Sequence, residues 1–167
     1  RWWPAPAGRL LDCRPPSDGP TVQWRDDDIT ITDDPTAVDL DVVHGFLVDA
    51  YWSPGVPREV LARAVEGSLC LTALDGDALV GFGRIVTDRA TFAYLCDVFV
   101  LPEHRGRGIG KALARAAVEH PDLHGVRRYV LATRDAHGLY EPFGFRPAPA
   151  GSLLEIKRDA ASLYEAS

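Results

Sequence analysis

Residues 98–111 read VFVLPEHRGRGIGK, and this stretch decides the fold. An apolar run ends at Pro102, a turn of charged and small residues follows, and a helix opens around Gly108 and Gly110. Gly106, Gly108 and Gly110 alternate with Arg105, Arg107 and Ile109, and Lys111 comes next. A strand, a glycine-rich turn and a helix start together make an anion site. The first N–H groups of a helix have no partner within it, and its dipole is positive there. Glycine also lets a phosphate come close to the backbone.

Spacing excludes two common nucleotide loops. A Walker A loop ending at Gly110-Lys111 would need glycine at 105 and a hydroxyl at 112, where Arg105 and Ala112 stand. A dinucleotide fingerprint on Gly106 and Gly108 would need glycine at 111, which is Lys111. What fits is Arg-x-x-Gly-x-Gly on Arg105, Gly108 and Gly110, after the strand of Asp97, Val98, Phe99 and Val100 and before the helix of Ala112 and Leu113. Further on, residues 133–145 read TRDAHGLYEPFGF, with a Tyr-x-x-x-Gly-Phe element on Tyr140, Gly144 and Phe145.

In these two motifs, their order and their separation, the chain resembles the GNAT superfamily of N-acetyltransferases, over roughly residues 28–158. The resemblance implies an α/β fold, with a mixed sheet of about six to seven strands and about four helices. It also implies acetyl-CoA as co-substrate, without a metal, and direct transfer to a primary amine in a ternary complex, with a small molecule as the expected acceptor. Acetylation of a protein or peptide, or a CoA-binding module without catalysis, are the alternatives. Dimerisation is common in the family, so a homodimer joins the expectations.

Composition agrees with an ordinary globular domain. A chain of 167 residues suits one domain with a real core. No apolar run approaches the ~20 residues of a membrane span, and no signal peptide is recognisable, which predicts a cytoplasmic protein with no membrane partner. Cys13, Cys70 and Cys96 follow no metal or redox spacing and read as small buried hydrophobes in a reducing compartment. Methionine is absent even at the start, so the N-terminus is expected to be processed or incompletely represented.

The net charge of −6, from 18 basic and 24 acidic residues, argues against nucleic acid as a partner. Residues 26–50 hold eight aspartates and no Lys or Arg, while residues 103–128 hold six basic residues against three acidic ones. A basic cofactor side suits a polyphosphate. The acidic segment reads as an attractor for a cationic amine or as a solvated face.

Residues 1–27, rich in Pro, Arg and Trp, read as an extension that drapes over the domain or is partly disordered, with the domain over 28–167. Residues 29–32 alternate as a short strand, and helices are expected over about 37–50 and 57–67. Strands are expected over 69–74 and 78–86 around the Asp75-Gly76-Asp77 turn, and then over 91–100. A helix over 108–120, a strand over 126–133, a short helix capped by Asp135 and ended by Gly144, and a last strand over 153–157 complete the reading.

The resemblance assigns roles. Arg105, Gly106, Arg107, Gly108, Ile109, Gly110 and Lys111 wrap the pyrophosphate, chiefly through backbone N–H groups. Val98, Phe99 and Val100 meet the pantetheine and acetyl carbonyl. Thr133 stands where many relatives carry Asn near the cofactor, and Phe143 completes the cofactor set. Tyr140 is the general acid that protonates the leaving thiolate. Asp97, a carboxylate in an otherwise apolar strand, reads as the base or as a structural Asp bonded to a neighbouring loop. A water relayed to a distant carboxylate is another solution within the family. Cys96 reads as structural, since direct transfer needs no nucleophile. The acceptor side falls to Tyr51, Trp52, Ser53, Arg84 and Asp88, with cation–π contact as one means of holding an amine. His104 reads as exposed, and His137, one helical turn before Tyr140, as packing or solvent-facing.

Overall fold

The computed structural model describes residues 21–159 and Tyr164. Six strands lie in one sheet in the order of the sequence: β1 Gln23–Asp26, β2 Ile29–Thr32, β3 Leu69–Asp75, β4 Ala78–Thr87, β5 Phe92–Val100 and β6 Arg128–Leu131. Neighbours are antiparallel from β1 to β5, and β5 and β6 are parallel. Four α-helices join them among the described residues: α1 Leu40–Leu47, α2 Arg58–Glu66, α3 Ile109–Val118 and α4 His137–Tyr140. The mixed sheet follows from chain economy. Short turns close hairpins, whereas the parallel β5–β6 pair needs the helical crossover that α3 supplies.

Each turn has a local cause. Gly76 takes φ 61° between β3 and β4, a left-handed conformation suited to glycine. Between β4 and β5 the Asp88 carboxylate accepts from the Thr91 hydroxyl and the N–H groups of Thr91, Ala90 and Phe92. These bonds hold its pKa well below the ordinary carboxylate range, that from the Thr91 side chain contributing most. The Asp39 side chain caps α1 by accepting from the N–H groups of Asp41 and Val42.

Two cores sandwich the sheet. On one face α3 buries Ile109, Ala112, Leu113, Ala114, Ala116 and Ala117 against Ile31, Leu71, Ile85, Ala93 and Leu95. Four alanines on that face let the helix axis lie close to the strands. On the other face Val43 and Leu47 of α1 and Leu61 of α2 pack with Cys70, Phe82 and Phe99.

Three expectations are corrected. Residues 23–26, assigned to the extension, form β1 and pair along β2. Trp24 packs on the fully buried His120, their rings 5.7 Å apart. His120 Nδ1 accepts from the Asp122 N–H, so its Nε2–H donates to Asp33 Oδ2 at 3.1 Å, while Asp33 Oδ1 accepts from the Val22 N–H. The Trp2 and Trp3 part of the extension lies outside the described residues. The expected strand over 153–157 is not one: Leu154 and Ile156 are 97% and 93% exposed. Finally, Asp135 does not cap α4. The Thr133 hydroxyl accepts from the Ala136 N–H instead, because Thr133 sits one residue before the bend and Asp135 within it.

Candidate active site

The site grows from a fork in the sheet. β5 pairs with β6 only from Phe92↔Arg128 to Leu95↔Leu131, and then runs five residues further, Cys96–Val100, without it. A bulge marks the parting. Cys96 faces Arg84 and Phe99 faces Phe82 on β4, so Asp97 and Val98 share the single residue Gly83. Asp97 takes the strain of the bulge, with φ 54°. Backbone groups of residues 96–100 on the β6 side are thereby left without a ladder.

β5 leads through Leu101 into the glycine turn. Gly106 and Gly108 have φ 80° and 82°, and Gly108 is the residue before α3. Their hydrogens are needed for these angles, not for space, since a Cβ at either would meet nothing within 4 Å. At Gly110 a Cβ would stand 3.5 Å from Leu139, an ordinary contact. No side chain among the described residues caps α3. The Lys111 and Ala112 N–H groups donate to the Gly108 carbonyl, which leaves those of Ile109 and Gly110 without a partner inside the helix, at the positive end of ten residues.

The basic side chains of the turn divide their duties. Arg107 reaches across to Asp75 at 2.7 Å and meets His104 Nδ1 at 3.1 Å, which fastens the turn to the β3–β4 hairpin. Arg105 Nε donates to the Val100 carbonyl at 3.1 Å. Lys111 is exposed and has no ion-pair partner among the described residues.

Tyr140 ends α4 and lines the cleft along β6 with residues 128–133. It is 8% exposed, its ring meets Phe145 edge-on at 5.8 Å, and its hydroxyl has no hydrogen-bond partner among the described residues. Burial, with a smaller contribution from nearby Tyr51, pushes its pKa up to about 12. The group is thus a retained proton with an unused donor. Phe143 packs against the α3-side core. Burial likewise pushes the Cys70 and Cys96 thiols up to about 12, so neither is a thiolate nucleophile.

Asp97 and Arg84 form a largely enclosed pair. Arg84 Nε donates to Asp97 Oδ2 at 2.7 Å, and Nη1 reaches the Ser68 hydroxyl at 3.1 Å. Their side chains are 11% and 17% exposed. Arg84 is therefore bound to its neighbours, and Asp88 serves its own turn.

Tyr51 and Trp52 are exposed and stand edge to face at 4.8 Å. Trp52 leans on Phe46, which is stacked on Phe99 at 4.0 Å. Ser53 only closes the loop, its hydroxyl donating to the Leu47 carbonyl. One face of Tyr51 already carries a cation: the Arg134 guanidinium lies 4.0 Å from the ring centroid. Arg134 and Ser68 are absent from the sequence-based set, because nothing in their local pattern says which distant ring or guanidinium they meet.

The fork, the start of α3 and Tyr140 belong to an α/β domain with a cleft along β6. Residues 37–145 match the family model for the acetyltransferase (GNAT) family. The candidate acetyltransferase FG08082 of Gibberella zeae is 29% identical over 140 residues, covering 70% of this chain and 78% of that protein. Among solved structures, a candidate GNAT acetyltransferase from Xanthomonas campestris pv. campestris is 45% identical, with a TM-score of 0.75 over 79% of this chain and 94% of that one. The GNAT-family protein SP0256 of Streptococcus pneumoniae is 29% identical, with a TM-score of 0.59 over 78% and 98%. The chain belongs to the GNAT family of acetyltransferases.

Proposed function

We propose that the protein moves the acetyl group of acetyl-CoA directly to a primary amine, on a small-molecule acceptor, within a ternary complex. The observation that carries this reading is Tyr140: a buried ring whose hydroxyl keeps its proton, has no hydrogen-bond partner among the described residues and opens on the cleft along β6. Residues 105–111 receive the pyrophosphate, through the unpaired N–H groups of the turn and of α3 and the charge of Lys111. Val98, Phe99 and Val100 form the end of β5, unladdered on its β6 side, that receives the pantetheine arm, with the Val100 carbonyl already held by Arg105 Nε, and Thr133 and Phe143 flank the cofactor. Asp97 accepts the ammonium proton through Oδ1, since Arg84 engages Oδ2. The neutral amine then attacks the thioester carbonyl. The C–S bond breaks as the tetrahedral intermediate collapses, Tyr140 gives its proton to the departing sulfur, and the proton shed by the amide nitrogen restores the tyrosine.

Tyr51 and Trp52 wall the acceptor side, with Arg84 in its floor. A reducing cytoplasmic setting goes with Cys70 and Cys96, both free thiols.

The decisive experiment measures thiol release from acetyl-CoA across a panel of small primary amines and of peptides, alongside melting temperature with and without acetyl-CoA. The expected result is a raised melting temperature and turnover on small amines. No shift with acetyl-CoA removes the donor assignment, and turnover on peptides alone removes the small-molecule acceptor.

A further inference from the structure

The acceptor side holds a cation that its own chain leaves weakly answered. The Arg134 guanidinium lies 4.0 Å from the centroid of the Tyr51 ring. This contact joins the loop between α1 and α2 to the loop between β6 and α4. The second loop is fixed at that point: the Thr133 hydroxyl accepts from the Ala136 N–H, and residues 134 and 135 bend outward and are exposed. Tyr140 is close by, since Tyr51 contributes to its raised pKa. Thr133 and Tyr140 line the same cleft of about 490 Å³ along β6, so Arg134 follows directly on a wall of that cleft.

A guanidinium stacked on a ring binds with its face and keeps its edge. The in-plane N–H groups stay available, and their fork matches the two oxygens of a carboxylate. Other arginines already use that edge: Arg58 on Asp41, Arg84 on Asp97 and Arg107 on Asp75 at 2.7 Å, and Arg89 on Asp122 at 2.8 Å. Arg134 is different. The carboxylate oxygen that it meets, Asp135 Oδ2, is 3.9 Å away, with the two side chains 67% and 70% exposed. An exposed pair at that distance contributes little. The stack also changes what Tyr51 can recognise. A ring face that carries a guanidinium repels an ammonium group, so the amine belongs with Asp97, and the charge for which this ring is prepared is negative. Arg84, the other arginine on the acceptor side, is tied to Asp97 and Ser68.

We propose that Arg134, held on the face of Tyr51, determines specificity on the acceptor side by taking a carboxylate of the acceptor, so that the substrate class is an amine that also carries a carboxylate. The inference rests on the reading of Tyr51 and Trp52 as the acceptor wall and of Asp97 as the base. Such an acceptor is held at two points by opposite charges, its nitrogen at Asp97 and its carboxylate at Arg134, and two fixed points orient the nitrogen for attack.

The test compares kcat/KM for amino acids with that for the amines that lack only the carboxyl group: glycine with methylamine, β-alanine with ethylamine, γ-aminobutyrate with propylamine, and phenylalanine with phenethylamine. In at least one pair the wild type should prefer the acid by about tenfold or more, the scale of a hydrogen bond between charged groups. Arg134→Met should bring that ratio to within about twofold of unity, chiefly through KM for the acid, with KM for acetyl-CoA unmoved. Arg134→Lys keeps the charge without the planar fork and should retain a ratio of only about threefold. Arg115→Met removes the same charge from an exposed residue of α3 and should leave the ratio as it is. Arg134 is exposed, so its variants should keep the wild-type circular dichroism spectrum. Turnover without the preference, or a preference that survives Arg134→Met, overturns this inference alone. So does a raised KM for acetyl-CoA in Arg134→Met, which would put the guanidinium on the cofactor. Absence of turnover on every amine overturns the function on which the inference rests, and the inference with it.

Discussion

The helix start at Gly108 and the ring cluster at Tyr51 flank the same fork, yet they are made of different material. The first is backbone: left-handed glycines, uncapped N–H groups and a strand that has lost its neighbour. The second is side chain: Tyr51, Trp52 and Phe46 from one part of the chain, Phe99 from another, and Arg134 from a third. In the proposed function a backbone site recognises what every donor molecule shares. A side-chain site can be rebuilt, one residue at a time, without disturbing the first.

That contrast can be tested, beginning where the two sides meet. Tyr140→Phe should lower kcat by about 100-fold or more, the lower end of what a general acid contributes, with acetyl-CoA affinity within about twofold. Steady-state kinetics with calorimetric titration checks it, and an unchanged kcat removes the role. The same tyrosine has a stability signature. Its folded pKa of about 12 exceeds the ordinary value of 10.0, as those of Cys70 and Cys96 exceed 9.0. Raised acids contribute stability that is fully present below their unfolded pKa values and is lost as the pH rises through the folded ones. Denaturant midpoints should therefore hold steady to pH 9 and fall between 9 and 12, and Tyr140→Phe should flatten the upper part of that fall.

Arg84→Met should cost about 2 kcal/mol of folding stability, since it leaves the Asp97 carboxylate enclosed without its partner. Denaturant unfolding reads this, and adding Asp97→Asn to it should recover part of the loss. Gly108→Val should weaken acetyl-CoA binding about tenfold, roughly 1.4 kcal/mol, because a β-branched residue resists φ 82° at the helix start. An unchanged affinity would show that the pyrophosphate does not sit on this turn. The smallest change falls on the acceptor side: Trp52→Ala should raise KM for the amine about threefold, under 1 kcal/mol, and leave KM for acetyl-CoA alone. If instead the acetyl-CoA constant moves, the two sides are not independent.

The same division explains what could be read from the chain. Glycine spacing reports backbone conformation directly, so Gly106 and Gly108 mark the turn and the helix start in the sequence itself. Hairpins and the α3 face are equally plain in their local patterns. Contacts across distance are not. Arg107 faces the turn in sequence yet spends its charge on Asp75, 32 residues away. Arg84 looks available to an acceptor and is bound to Asp97 and Ser68. β1 carries too few residues to show a period, and its place depends on Asp33 and His120, 87 residues apart. The arm over 153–157 has the composition of a strand, but composition does not name the edge on which a strand pairs.

The bulge at Asp97 has a consequence for how β5 tolerates change. Before it, the odd-numbered Ala93 and Leu95 enter the α3-side core; after it, the even-numbered Val98 and Val100 do, and Phe99 joins the opposite core. β5 is therefore two half-strands in opposite phase, joined at one residue. Losing or gaining a single residue there would turn Phe99 out of its stack on Phe46 and exchange the inner and outer faces of everything up to Leu101. Such a frameshift in three dimensions makes the length of this strand, more than the identity of its side chains, the quantity that the fold must preserve.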